Sequence, residues 1–597
     1  MNSNTVIESV LSARYYHGTE KTWSDVCRRV SDFIGNDELE RNSFYTLMNN
    51  CDFIPNSPTL FNAGIPNGQL SACFVLPIRD SLTDIFDTLR QCALIFKSGG
   101  GVGMSYGEIR SKNSPVGESH GVASGAVSFM RVYDSAIEAI KAGGKRRGAA
   151  MGVLPCDHGD ILDFIKCKSV EGQIKNFNLS VMMTPDFMNK VKAKNWTAVV
   201  THAIRDDGTN QPITVGEIWK GIVNGSWSLG EPAVLFDDNI NTANKLKKLG
   251  KIVSTNPCGE QLLLPFESCN LGSINLSHYV QGNAIDYVRL AKDTRICTKF
   301  LNNVLDKNMF PISELKQMND KTRKIGLGIM GYHDMLLKLH IAYDSNEALN
   351  LLTKVLRVLF DSAKDESHKL ALKYGVFPAF DDSEWDIPMR NGALTCVAPT
   401  GSISLLANCS SGIEPVFNWV YQRNNTVGKS FLMVHPLFDA DLKTMCNGDS
   451  ELYDEIINLV FHDGTLQNIS MIPDKVKAVY KCALDISPDW HLKTLACAQK
   501  IVDASISKTI NLPNDTTQTE VEHILLSAYD MGCKGVTVYR TGSRKDVVMA
   551  SSTTSESGFV ETIKDGKVYV KCPECGHLTL GHGGCNVCES CGFTKCS

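Results

Sequence analysis

Three things are missing from this chain of 597 residues: a long apolar run, an excess of charge of one sign, and an export leader. No stretch of about 18 apolar residues occurs, so no membrane-spanning helix is expected. The opening MNSNTVIESVLSARYYHG has neither a basic n-region nor an apolar h-region. The net charge of −5 supplies no basic face, so direct binding of nucleic acid or of an acidic membrane is not expected. Any nucleotide site must be local, made from loops and a few cations. Neither of the two glycine-bearing loops, 98–103 and 399–404, has the Gly-Lys-Ser/Thr ending of a Walker loop, and no internal repeat is seen.

What is present is an ordinary apolar share, 43%, in a chain too long for one average domain, which implies a large unit with appendages. Cysteine is abundant, at 21 residues. In a chain without a leader this fits a reducing, cytoplasmic setting in which thiols act as ligands or reactants.

Four stretches follow from composition. Residues 1–50 read as helical, with Val26, Val30, Phe33 and Ile34 at amphipathic spacing. Residues 51–549 alternate short apolar runs (73–76, 198–200, 534–539) with helical patterns, the mark of an α/β fold with parallel strands. A helix is expected over 123–142, stopped by Gly143 and Gly144. Residues 550–570 contain a Ser/Thr-rich linker and a hairpin with an Asp-Gly turn, and residues 571–597 form a cysteine-rich tail.

The chemistry is concentrated in a few segments. Asn-Pro-Cys-Gly-Glu at 256–260 puts a cysteine in a tight loop, since proline fixes φ and glycine accepts unusual angles. Alone it reads more simply as a turn with a free cysteine. Pro-Thr-Gly-Ser-Ile at 399–403 and Ser-Gly-Gly-Gly-Val-Gly at 98–103 are loops able to offer N–H groups and hydroxyls to a phosphate. Cys73, in a Ser-Ala-Cys strand, reads as a buried core thiol. Lys145, Arg146 and Arg147 sit beside glycines, either as a solvated basic turn or as a phosphate clamp. The tail spacing Cys572-x2-Cys575 and Cys585-x2-Cys588 is that of a zinc ribbon, leaving Cys591 and Cys596 over.

The run from Asn256 to Leu276, with 55–75, 98–103, 399–404 and 534–544 in the same order, resembles the ribonucleotide reductases. The resemblance implies a ten-stranded α/β barrel of two five-stranded parallel halves around a central finger loop, with a helical N-terminal region and the small zinc-ribbon-like tail. It implies that Cys258 becomes a thiyl radical, that Glu260 is the base at the ribose 3′-hydroxyl, that Asn256 positions the ribose, and that Cys73 and Cys269 are the reducing pair. Ser57, Ala72, Cys73, Gly101, Asn256, Glu260 and the loop Pro399, Thr400, Gly401, Ser402 and Ile403 are the implied substrate contacts. Class I members carry two adjacent tyrosines where this chain has Val538 and Tyr539. A lone Tyr539 reads as a packed strand aromatic, and the wording of the segment resembles class II, whose cofactor is adenosylcobalamin.

The resemblance therefore implies a ribonucleoside-diphosphate reductase, a homodimer with a dNTP effector site at Lys145, Arg146 and Arg147. Its implied reductant is of thioredoxin or glutaredoxin type, with Cys591 and Cys596 as the shuttle and zinc held by Cys572, Cys575, Cys585 and Cys588. Two alternatives stay open: a class I-type large subunit needing a separate radical-generating subunit, and a zinc protein that binds nucleotides without chemistry.

Overall fold

The computed structural model describes residues 3–117, 121–142, 146–170, 172–424, 430–543, 560–564, 567–571, 578–580, 585–587 and 594–596. Its first fifty residues form three helices, α1 (Ser3–Arg14), α2 (Trp23–Ile34) and α3 (Glu38–Asn49). A capping box of Thr22 and Asp25 starts α2, and of the expected apolar stripe Val26, Val30 and Ile34 are buried, with Cys27 beside them, while Phe33 is half-buried.

The next residues enter a sheet through β1 (Phe53–Pro55) and a one-and-a-half-turn helix, α4 (Ser57–Asn62). Strands β2 (Cys73–Pro77), β3 (Gly101–Ser105), β4 (Ala150–Pro155), β5 (Phe177–Met183) and β6 (Ala233–Phe236) then run parallel, each beside the one before. A second parallel set is β7 (Ser268–Asn275), β8 (Ile325–Met330), residues 395–397, β9 (Thr509–Leu512) with Ile506 ahead of it, and β10 (Gly535–Arg540). Antiparallel contacts join the two sets at both edges, with Cys73 opposite Cys269 and Val234 opposite Val536. The sheet thus closes into the expected barrel of two five-stranded halves, with β1 paired alongside β7. All eight residues of β7 and all six of β8 are buried. β8 carries the unbroken apolar run of a strand covered on both faces, whereas β7 also buries Ser268, Asn270, Ser273 and Asn275.

Three local expectations differ from what is observed. The 198–200 run belongs to a half-exposed two-stranded ribbon (Val199–Ile204 with Asn210–Thr214) outside the barrel. Helix α6 (Ala126–Ala139), which follows α5 (Leu82–Lys97), ends before the two glycines, because Ile140 is already extended and leads into a strand pair, Lys141–Ala142 with Arg146–Arg147. The 98–103 segment, expected as a glycine-rich turn, is a turn only in its first half, and its second half is the start of β3. A second apolar cluster around Trp419 is built from helices Pro436–Cys446 and Ser450–Asp463, inserted between residues 395–397 and β9.

Candidate active site

The finger loop is a hairpin inside the barrel. Its two-residue strands, Ser254–Thr255 and Leu262–Leu263, pair antiparallel. Asn256 locks the tip: its Oδ1 accepts from Gln261 N at 2.9 Å and its carbonyl accepts from Gly259 N at 3.0 Å. Gly259 has φ +83, a conformation that favours glycine. Asn178 of β5 donates to Pro257 O at 2.8 Å, tying the loop to the wall.

The glycines of β3 explain how the loop can approach so closely. A Cβ on Gly101 would lie 2.9 Å from Pro257 Cγ, and one on Gly103 would overlap Thr255 O. These glycines make room for the finger loop.

At the tip Cys258 is exposed, whereas Asn256, Pro257 and Glu260 are buried. One cavity, of about 350 Å³, is lined by Cys258 together with Ser57, Ala72, Cys73, Gly101, Asn256, Glu260 and Pro399 to Ile403. Every substrate contact implied by the sequence therefore lies on one cavity. Asn256 Nδ2 donates to Cys73 Sγ at 3.1 Å, and Cys73 Sγ lies 3.8 Å from Glu260 Oε1. Cys269 is the fully buried cross-strand neighbour of Cys73.

Burial pushes both thiols well above their ordinary pKa, and the Glu260 carboxylate adds to the effect at Cys73. Both are therefore held as protonated thiols at neutral pH. The chain entering β7 is braced by Glu267, which accepts from Leu264 N at 2.6 Å and pairs with the buried Lys324 at 2.5 Å.

In the 399–403 loop Thr400 takes φ +53 and its hydroxyl accepts from Gly412 N at 2.9 Å. Among the described residues, neither Gly401 N nor Ser402 N donates to a protein acceptor. Two free N–H groups beside the Ser402 hydroxyl suit an anion.

A second cavity, of about 490 Å³, opens on the other side of the finger loop. Pro257, Cys258 and Pro399 line both cavities; Asn178, Ser507, Asn511 and Tyr539 line the second alone. Tyr539 is thus a half-buried cavity wall rather than a packed strand aromatic, because the barrel turns that face of β10 toward the interior.

Several residues escaped the sequence reading. Asn56, Arg14 and Tyr15 line the first cavity. Cys396 is buried in the same small cluster as Cys73 and Cys269, and its thiol too is pushed well up by burial. Asn56 carries a signal in sequence, that of a helix N-cap before Ser-Pro-Thr; Cys396 carries none. Lys145, Cys572, Cys575, Cys588 and Cys591 lie outside the described residues, and for Arg146, Arg147, Cys585 and Cys596 only the backbone is described. Cys585 and Cys596 are cross-strand partners. Among the described residues no cluster of metal-binding side chains occurs, and no helix is long and apolar enough to cross a membrane.

The barrel-domain model of ribonucleotide reductase matches residues 71–389 and 386–539, and its all-alpha domain matches 4–68. The chain belongs to the ribonucleotide reductase family. The chain is 45% identical over 518 residues to a vitamin B12-dependent ribonucleoside-diphosphate reductase of Thermoplasma acidophilum, covering 86% of this chain and 66% of that one. A Mycobacterium tuberculosis protein of the same description is 41% identical, with 85% and 73% covered. The chain thus spans about two thirds to three quarters of the length of these relatives. The class Id ribonucleotide reductase alpha subunit of Actinobacillus ureae shares the fold, with a TM-score of 0.75 at 22% identity, over 90% of this chain and 97% of that one.

Proposed function

We propose that this reductase converts ribonucleoside diphosphates to deoxyribonucleoside diphosphates by thiyl-radical chemistry and depends on adenosylcobalamin. The observation that carries the reading is the placement of Cys258. It is the exposed thiol at the meeting of two cavities, with Asn256, Glu260 and Cys73 gathered on the first.

A thiyl at Cys258 takes the ribose 3′ hydrogen while Glu260 accepts the 3′-hydroxyl proton. Water leaves from C2′ with a proton supplied by Cys73. Cys73 and Cys269 together give up two electrons and end as a disulfide, and Cys258 returns hydrogen to C3′. Protonated, buried thiols beside a carboxylate suit these steps, and the surrounding protein keeps solvent from the radicals. The residues of the second cavity fit a deoxyadenosyl group: amides and hydroxyls from Asn178, Ser507 and Asn511 surround a space that opens onto Cys258. When bound, adenosylcobalamin supplies the radical that removes the Cys258 hydrogen. The B12-dependent relatives support the same cofactor.

The remaining roles belong to this reading. Lys145, Arg146 and Arg147 would hold a dNTP effector. A homodimer would form through α5 (Leu82–Lys97) and α6, which leave Leu82, Phe86 and Val132 exposed. Zinc would be held by Cys572, Cys575, Cys585 and Cys588, and a thioredoxin- or glutaredoxin-type reductant in the cytoplasm would act through Cys591 and Cys596.

The deciding experiment is reduction of ribonucleoside diphosphates by the purified chain with and without adenosylcobalamin, aerobically and anaerobically. Turnover with adenosylcobalamin alone is expected. A strict requirement for a second, metal-containing subunit overturns the class, and turnover by C258S overturns the chemistry.

A further inference from the structure

The wall of the first cavity that comes from the N-terminal segment has no assigned task. Arg14, at the end of α1, is the one cation among the described residues that line this cavity. It is exposed, and no salt bridge or hydrogen bond to another described residue engages it. The reacting groups Asn256, Glu260 and Cys73 are buried, so the exposed guanidinium stands toward the cavity mouth.

Its backbone is fixed in place. Arg29 donates to Tyr15 O at 3.2 Å, to Leu60 O at 3.0 Å and to Ala63 O at 2.7 Å, and pairs with Glu20 at 2.6 Å. His17 Nε2 is 2.7 Å from Phe61 O, and the buried Tyr15 hydroxyl is 2.9 Å from Ser57 Oγ. The end of α1 is therefore clamped onto α4, the helix that carries Ser57.

Asn56 supplies an independent observation. Its Oδ1 caps α4, accepting from Thr59 N at 2.9 Å and Thr59 Oγ1 at 3.0 Å. The cap fixes the orientation of the amide, and leaves Nδ2 buried with no acceptor although Asn56 is only 7% exposed. A buried donor without a partner is destabilising unless a ligand satisfies it.

We propose that Arg14 and Asn56 are specificity-determining residues that read the phosphate end of the substrate. Arg14 meets its charge at the mouth and Asn56 Nδ2 donates to one of its oxygens, complementing the N–H groups of the 399–403 loop. A guanidinium suits this task because it pairs with phosphate in two-point geometry. The proposal rests on the reductase reading above.

Equilibrium binding of cytidine 5′-diphosphate and of cytidine, measured without cobalamin, tests it. Arg14→Ala is expected to weaken the diphosphate at least tenfold and to leave cytidine within twofold, with Arg14→Lys in between. Asn56→Asp keeps the capping oxygen, so α4 stays formed, but replaces the donor by a negative oxygen; a loss of at least tenfold confined to the diphosphate is expected. Equal weakening of both probes in either variant, or no change in Arg14→Ala, overturns the assignment. A wild-type chain that binds neither probe overturns the reductase reading itself.

Discussion

Cys73 on β2 and Cys269 on β7 stand directly opposite each other where the two halves of the barrel meet antiparallel. Opposed residues of an antiparallel pair have Cα atoms about 4.5–5.5 Å apart, inside the range that a disulfide spans without backbone movement.

One turnover without external reductant is therefore expected to leave a Cys73–Cys269 disulfide, seen by peptide mapping after alkylation. Replacing either cysteine by alanine is expected to lower multiple-turnover activity by about a hundredfold or more. Cys396, packed in the same cluster, is expected to stay reduced; a product disulfide that includes Cys396 contradicts this pairing.

The finger loop is expected to be more sensitive in activity than in stability. Gly259→Ala forces an L-residue into φ +83, a strain of about 1–2 kcal/mol, and re-aims Cys258. Gly103→Ala drives a methyl into Thr255 O. Both variants are expected to fold, with kcat reduced about a hundredfold, since displacements of about 1 Å have that effect. Thermal melting beside steady-state rates checks it; near-normal rates would show that the loop tolerates displacement.

Acid sensitivity follows from two histidines. Burial depresses His333 and His491 to about 3, while an unfolded chain protonates them near 6.5. Below pH 6.5 the unfolded state binds more protons, so stability falls as pH falls, by up to about 1.4 kcal/mol per pH unit for each group. Urea midpoints followed by tryptophan fluorescence are expected to drop steeply from pH 6.5 to 5, Trp419 being in ring contact with His333. His491→Gln, uncharged throughout, is expected to make the slope shallower; an unchanged slope removes His491 from the account.

The tail is testable by its reductant. With Cys591 and Cys596 both replaced by serine, turnover with thioredoxin is expected to be lost and turnover with dithiothreitol retained. Loss with both reductants instead assigns these cysteines to structure or metal.

The site is legible in sequence where its residues are local. Asn256, Cys258 and Glu260 lie within five positions, and the Pro-Gly flanks declare a loop. The Cys73–Cys269 contact is not legible, because it depends on closure of a ten-stranded sheet. The glycines of 98–103 show the limit of composition: a phosphate cradle and a clearance for another loop use the same residue. Likewise Asn56 advertises a cap through one side-chain atom, while its buried, unpartnered Nδ2 leaves no trace in sequence. Tyr539 fails for a third reason, since the inner face of a barrel strand and the buried face of an open sheet share one pattern.

Placing Cys258 on the partition between two cavities has an evolutionary consequence. Cys258, with Pro257 and Pro399, borders both cavities, which in the proposed mechanism serve sugar reduction and radical delivery separately. Residues such as Val538 and Tyr539 can change with the radical source while Cys73, Asn256 and Glu260 stay as they are. The two rooms can be refurnished separately, so one barrel can accept different radical suppliers without rebuilding its reductive chemistry.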